Sequence, residues 1–295
     1  MLAALKNFIS GPLPETVETM EQKRGEYAAA VIAACSGQTD LQALQSAGFM
    51  YRLRRNGSRR LVVMLSATAK YTLQKYPFDA DVLFLVDVSG TYFCLPCERI
   101  AALVKTISWR NGYRTIDFVG CSKGGTGALN IAATLVGLGT RAKVNVLSFS
   151  PQTQIYPHDK NGDVFASYKN LAARLEKQPA LIPIIARSGN LATLDYSRLN
   201  SCTVFFGSRN KVDALEARRL SGCRGVELSP IETTQHYTLG FFTIPPDVDI
   251  EHARQRFAEA DDPDVVAMRT DNAIEEYLEL SQRHGYDLAA LLHRS

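Results

Sequence analysis

The stretch Thr115-Ile116-Asp117-Phe118-Val119-Gly120-Cys121-Ser122-Lys123-Gly124-Gly125 decides how the chain is read. Residues 115–119 are mostly β-branched or apolar, the character of a buried strand, and Gly120 closes the run. Residues 124–138 are rich in Ala and Leu and contain no proline, so a helix follows almost at once. Between them lies Gly120-Cys121-Ser122-Lys123-Gly124, a G-x-S-x-G in the strand-to-helix context that gives the pattern its mechanical meaning. A turn that sharp holds the serine in a strained backbone, and glycines beside it let neighbouring segments approach without a Cβ clash. Two other readings share the pattern: a glycine-rich turn with an incidental serine, and a loop that cradles phosphate. The chain has neither G-x-x-x-x-G-K-[ST] nor G-x-G-x-x-G here, which weighs against the second.

Outward from that turn, apolar runs at 82–86, 144–149, 203–206 and 226–228 read as strands, with helices at 98–111, 165–177 and 214–221 between them. Buried strands alternating with helices imply parallel βαβ units. The expected fold is therefore a three-layer α/β domain with a mostly parallel central sheet and helices on both faces. Nearer the N-terminus, 50–54 and 61–65 flank Asn56-Gly57, the signal for a two-stranded hairpin, so an antiparallel start is expected. Arg52, Arg54, Arg55, Arg59 and Arg60 would then line the outer face and tip of that hairpin, in solvent or against an anion such as an acidic glycan. Residues 1–48 read as a helical segment and 49–246 as the α/β domain, with 150–200 as a cap or pocket-lining insertion. Past Pro245-Pro246, residues 247–295 read as a helical tail.

The chain has 295 residues, of which 46% are hydrophobic and 21% charged, a balance that excludes a disordered chain. A net charge of +3 gives no electrostatic case for a nucleic-acid partner. No run approaches the ~20 apolar residues of a membrane span, and residues 1–9 lack the charged start and long apolar core of a secretion signal, so a soluble, cytoplasmic protein is expected. Six cysteines, at 35, 94, 97, 121, 202 and 223, are scattered and suit free buried thiols. Cys94-Leu95-Pro96-Cys97 is a C-x-x-C, but no second pair or nearby histidine pair completes a metal set, so neither a metal nor a cofactor is expected. Cys121 neighbours the serine, yet its side chain should point into the packing while Ser122 takes the tip of the turn.

From about residue 61 to 242 the chain resembles the α/β-hydrolase superfamily. Phe118-Val119-Gly120-Cys121-Ser122-Lys123-Gly124-Gly125 is similar, more loosely, to elbows of bacterial members associated with surface-polysaccharide and glycan modification. The resemblance implies a serine nucleophile, an acid after a later strand and a histidine after the last one, with ester, thioester or amide chemistry through an acyl-serine. In that order His236 is the base, while His158, His252, His284 and His293 fall in the wrong places. Many members place the acid about three residues after the strand-ending glycine, which here is Asn210, so Asp213, one turn further on, is taken as the acid. The oxyanion hole would be the backbone amides of Lys123 and Ala67, with Ser66 or Thr68 able to lend a hydroxyl. Tyr156, His158, Tyr168, Arg174, Arg187 and Tyr196 give the insertion a polar cast, which favours a small-molecule or glycan acyl substrate over a lipid tail. Asn210 at a common acid position also keeps open a non-catalytic member serving assembly or binding in a glycan or secretion pathway.

Overall fold

The computed structural model describes residues 49–95, 97–243 and 273–294. Residues 1–48, expected as a helical segment, lie outside the described residues, as do 244–246 and residues 247–272 of the expected tail. Seven strands form one sheet: β1 (Phe49–Arg54), β2 (Arg60–Ser66), β3 (Asp81–Asp87), β4 (Thr115–Cys121), β5 (Lys143–Phe149), β6 (Ser201–Gly207) and β7 (Glu227–Ile231). Their order is β1-β3-β2-β4-β5-β6-β7, with β1 antiparallel to β3 and the other described neighbours parallel. Pro230, which cannot donate to a ladder, sits in the edge strand β7.

The expected hairpin does not form. β3 lies between β1 and β2, so the Asn56-Gly57 turn spans a wider gap than a two-residue loop would. That turn is tied to the chain just before and at the start of β3: Asn56 N and Ser58 N both donate to Asp81 Oδ1, and Asn56 Nδ2 donates to Phe78 O and Ala80 O. Two of the arginines are likewise engaged with the protein. Arg54 donates to Gln74 O and Tyr76 O and lies over the Phe78 and Phe84 rings, and Arg60 Nε is 2.6 Å from Oδ2 of the fully buried Asp117. A strong local turn signal was outcompeted by the parallel pairing of β2 with β3 and β4, which buries both faces of all three strands.

Alternation along the strands sorts the core into two layers. Leu61, Val63 and Leu65 of β2 pack with α1 (Cys97–Asn111), α2 (Lys123–Gly137) and the helices of the 150–200 insertion, principally α3 (Ala166–Lys177) and α4 (Ile182–Ala186). Val62 and Met64 face the other way and pack with residues 239–242 and two C-terminal helices. A further helix, α5 (Lys211–Arg218), connects β6 to β7, while α6 (Ala273–His284) and α7 (Leu288–Arg294) bury Tyr277, Leu278, Leu280, Leu288 and Leu292 on the second face. The described part of the tail is thus one of the three layers. Among the described residues no helix is long and apolar enough to cross a membrane.

Candidate active site

Ser122, between β4 and α2, has φ 54° and ψ −122°, a backbone state that L-residues adopt at a cost of about 1–3 kcal/mol when the surroundings over-determine it. Here they do. Ser122 N donates to Phe149 O at 2.8 Å, and Ser122 O accepts from Thr126 N at 3.0 Å as α2 begins. A Cβ on Gly120 would sit 2.2 Å from Gly124 O, and one on Gly124 would sit 2.2 Å from Leu65 O, so only glycine lets the strand, the turn and β2 meet.

The turn aims Ser122 Oγ at His236, whose Nε2 is 2.9 Å away. His236 Nδ1 is 2.8 Å from Asp213 Oδ1. With the carboxylate accepting, the proton sits on Nδ1 and Nε2 is left to accept from the serine hydroxyl. All three residues are at most 2% exposed. Asn210 is no substitute acid: its Oδ1 caps α5 by accepting from Val212 N and Asp213 N, and its Nδ2 donates to Thr234 O on the histidine loop. The residue at the expected acid position therefore sets the start of the helix that carries the acid.

Lys123 opens α2, at a helix N-terminus whose aligned peptide dipoles favour negative charge. Ala67 follows directly on β2, whose last carbonyls touch Gly124, so both amides expected to form the oxyanion hole lie at the same end of the sheet as Ser122. Ser66 Oγ accepts from Thr72 N and Thr68 Oγ1 from Lys70 N, which folds the loop after β2.

Two residues escaped the sequence reading. Gln152, buried, places Oε1 3.3 Å from Ser122 Oγ and Nε2 3.5 Å from His236 Nε2. Its backbone is pinned by Thr126 Oγ1, which donates to Gln152 O at 2.6 Å, and the next residue is held by Glu216 of α5, whose Oε2 accepts from Thr153 N and Thr153 Oγ1. Phe165, just before α3, lies on the histidine with ring centroids 4.7 Å apart. The signal that could have found Gln152 is its place three residues past β5, at the carboxyl edge of the strand beside the serine's own, where open α/β sheets gather ligands.

Of the six polar residues expected to line a pocket, three hold the insertion together and Arg174 ties it to the loop after β3. Tyr168 OH accepts from Asp159 N and donates to Gln154 O, Tyr196 OH donates to Leu191 O, Arg174 donates to Ser89 O, and His158 pairs with Asp163. Cys94 and Cys97 are buried, Cys97 Sγ donating to Asn130 Oδ1 at 3.2 Å, and burial pushes the Cys97 thiol up to about 12. Cys121 is buried in the second-face core, away from the tip of the turn. Among the described residues no group of three or more His, Cys, Asp or Glu could hold a metal ion.

No family model matches the chain, and no curated protein matches its sequence. Solved structures similar to it include a capsule O-acetyltransferase of Neisseria meningitidis serogroup A, at 16% identity over 72% of this chain and 90% of that one, with a TM-score of 0.48. A Pyrobaculum calidifontis esterase is 12% identical over 92% of this chain and 95% of that one, with a TM-score of 0.47. Carboxyl esterase 2 of the mycorrhizal fungus Tuber melanosporum is 13% identical over 79% and 81%, with a TM-score of 0.47. The strand order and the strained serine between β4 and α2, rather than these likenesses, give the chain a three-layer fold of the α/β-hydrolase type.

Proposed function

We propose that the chain is a serine acyl hydrolase or acyltransferase in which Ser122 is the nucleophile, His236 the base and Asp213 the group that orients it. The observation that carries this reading is the unbroken hydrogen-bond line from Ser122 Oγ to His236 and on to Asp213, at 2.9 and 2.8 Å. Ser122 attacks the carbonyl carbon of an ester, thioester or amide, and its proton passes to His236 Nε2. The carbonyl oxygen becomes an oxyanion that turns to the amides of Lys123 and Ala67. As the intermediate collapses, the leaving group takes the proton from Nε2, and the acyl group stays on Ser122. Water or an acceptor hydroxyl then attacks the acyl carbon as its proton passes to the same nitrogen, and collapse breaks the bond to Ser122 Oγ, which takes the proton back from Nε2. Gln152, in reach of both Ser122 Oγ and His236 Nε2, stands beside the atoms that leaving group and acceptor would meet.

A glycan acceptor would call for polar side chains free to bind it, and three of the six expected in the insertion are bonded within it while Arg174 is bonded to Ser89 O, so the proposal is confined to the acyl half of the reaction. The approach of Asp213 to His236, with Asn210 capping the helix that carries it, weighs against the non-catalytic reading that Asn210 motivated. The test is a fluorophosphonate probe together with p-nitrophenyl acetate turnover, on the parent and on Ser122→Ala. The parent should be labelled and active and the variant neither. Labelling of the folded variant at the parental rate would overturn the assignment.

A further inference from the structure

The loop that carries His236 is gripped from two sides, and only one of them belongs to the chemistry above. On the sheet side, Arg209 N donates to Thr233 O and Asn210 Nδ2 to Thr234 O, both from the turn that precedes the acid's helix. On the other side stands α6. Its Glu276 accepts from Thr233 Oγ1 on Oε1 at 2.6 Å and from Gln235 Nε2 on Oε2 at 3.0 Å. Its Tyr277 OH donates to Tyr237 O at 3.0 Å. Thr233, Gln235 and His236 are all buried.

One carboxylate thus bridges two residues that flank Thr234, and the neighbouring tyrosine holds the carbonyl of the residue after the histidine. Thr233 and Gln235 turn their side chains to α6, and His236 turns its own to Ser122. The imidazole must meet Ser122 with one nitrogen and Asp213 with the other, and these sit on opposite sides of one rigid ring. Productive geometry of this kind tolerates errors of about 0.5 Å or 10–20°. A charge-assisted carboxylate grip on Thr233 and Gln235 before the histidine, with a phenol bond to Tyr237 after it, is suited to that tolerance.

We propose that Glu276 and Tyr277 are positioning residues for the base, so that the C-terminal helix is a working part of the site. The proposal rests on His236 being the base. Misplacing a reacting group by about 1 Å can cost on the order of 10²-fold in rate, so Glu276→Ala should lower kcat by about 10- to 100-fold with KM changed by less than about 3-fold. Tyr277→Phe keeps the ring packed on Phe241, 4.2 Å between centroids, and should lose a smaller share of kcat. Glu276→Gln, which keeps one acceptor, should fall between parent and Glu276→Ala.

The decisive measurement is a double-mutant cycle with Asp213→Asn, read as p-nitrophenyl acetate turnover and probe labelling of the full chain, with Ser122→Ala as the control. A grip acting through the alignment of His236 predicts that Glu276→Ala costs little more once Asp213→Asn has already spoiled that alignment. Equal fold-losses in both backgrounds would overturn the proposal, as would parental kcat in Glu276→Ala. If Glu276→Ala does not fold, Tyr277→Phe runs through the same cycle and is judged by the same outcomes. Labelling of Ser122→Ala at the parental rate would instead sink the serine reading, which separates the two failures.

Discussion

Asp213 meets His236 with one oxygen only: Oδ1 is 2.8 Å from Nδ1, while the buried Oδ2 has no hydrogen-bond partner among the described residues. A buried acceptor left unpaired lowers stability, and in the proposed mechanism the same carboxylate orients the base. Asp213→Asn removes the charge and keeps the shape. In a serine-protease triad that exchange costs on the order of 10⁴ in kcat, so turnover should fall by about that factor while the melting temperature holds or rises. Steady-state kinetics beside a thermal melt would check both halves. Near-parental turnover would mean that His236 works with Ser122 alone or with a different acid.

Asn210 supports the same acid without touching the base. As the cap of α5 it accepts from two backbone amides, and losing such a cap costs about 1 kcal/mol. Asn210→Ala should therefore lower the melting temperature by a few degrees and reduce kcat far less than Asp213→Asn does. A loss of activity equal to that of Asp213→Asn, in a variant of unchanged stability, would contradict this division of labour.

The strain at Ser122 predicts opposite signs for activity and stability. Glycine adopts φ 54° without a Cβ penalty, so Ser122→Gly should abolish turnover and stabilise the fold by about 1 kcal/mol. Ser122→Ala should be equally inactive without that gain. Chemical denaturation of the three proteins gives the comparison, and a Ser122→Gly variant less stable than Ser122→Ala would show that the surroundings do not impose the strain.

The buried thiols make a prediction about alkaline pH. Burial pushes Cys97 and Cys202 up to about 12 from an ordinary value of 9.0. Between those values the unfolded chain gives up protons that the folded chain keeps, so stability present below pH ~9 is lost as pH rises towards ~12. In the native protein at pH 8, a thiol reagent should leave Cys94, Cys97 and Cys202 unmodified and reach them only on unfolding. Rapid native labelling of Cys97 would refute their burial.

The strands and helices on either side of Ser122 were legible because each is a long run of one character: 115–119, 144–149 and the helix after Gly124 all stand within a residue or two of where they were expected. That His236 and Asp213 would meet beside Ser122 followed from the chain order that the superfamily resemblance implies. The hairpin was misread because Asn56-Gly57 is a local signal, whereas the place of β3 between β1 and β2 is decided by pairing across the sheet. Gln152 and Glu276 were invisible for a related reason. Each is an ordinary polar residue whose importance comes from the partner it meets, 30 and 43 positions away in Ser122 and Thr233.

Helix α5 carries two buried carboxylates one turn apart, with Asp213 turned to His236 and Glu216 to the backbone beside Gln152. In the proposed mechanism, the base and the side chain that stands beside the reacting pair are therefore hung from a single axle. If that axle tilts, proton transfer and acceptor choice shift together, and neither can be retuned from α5 alone. Variation that alters which molecule takes the acyl group without slowing its transfer should therefore be sought in the insertion beyond Thr153, with residues 211–218 left as they are.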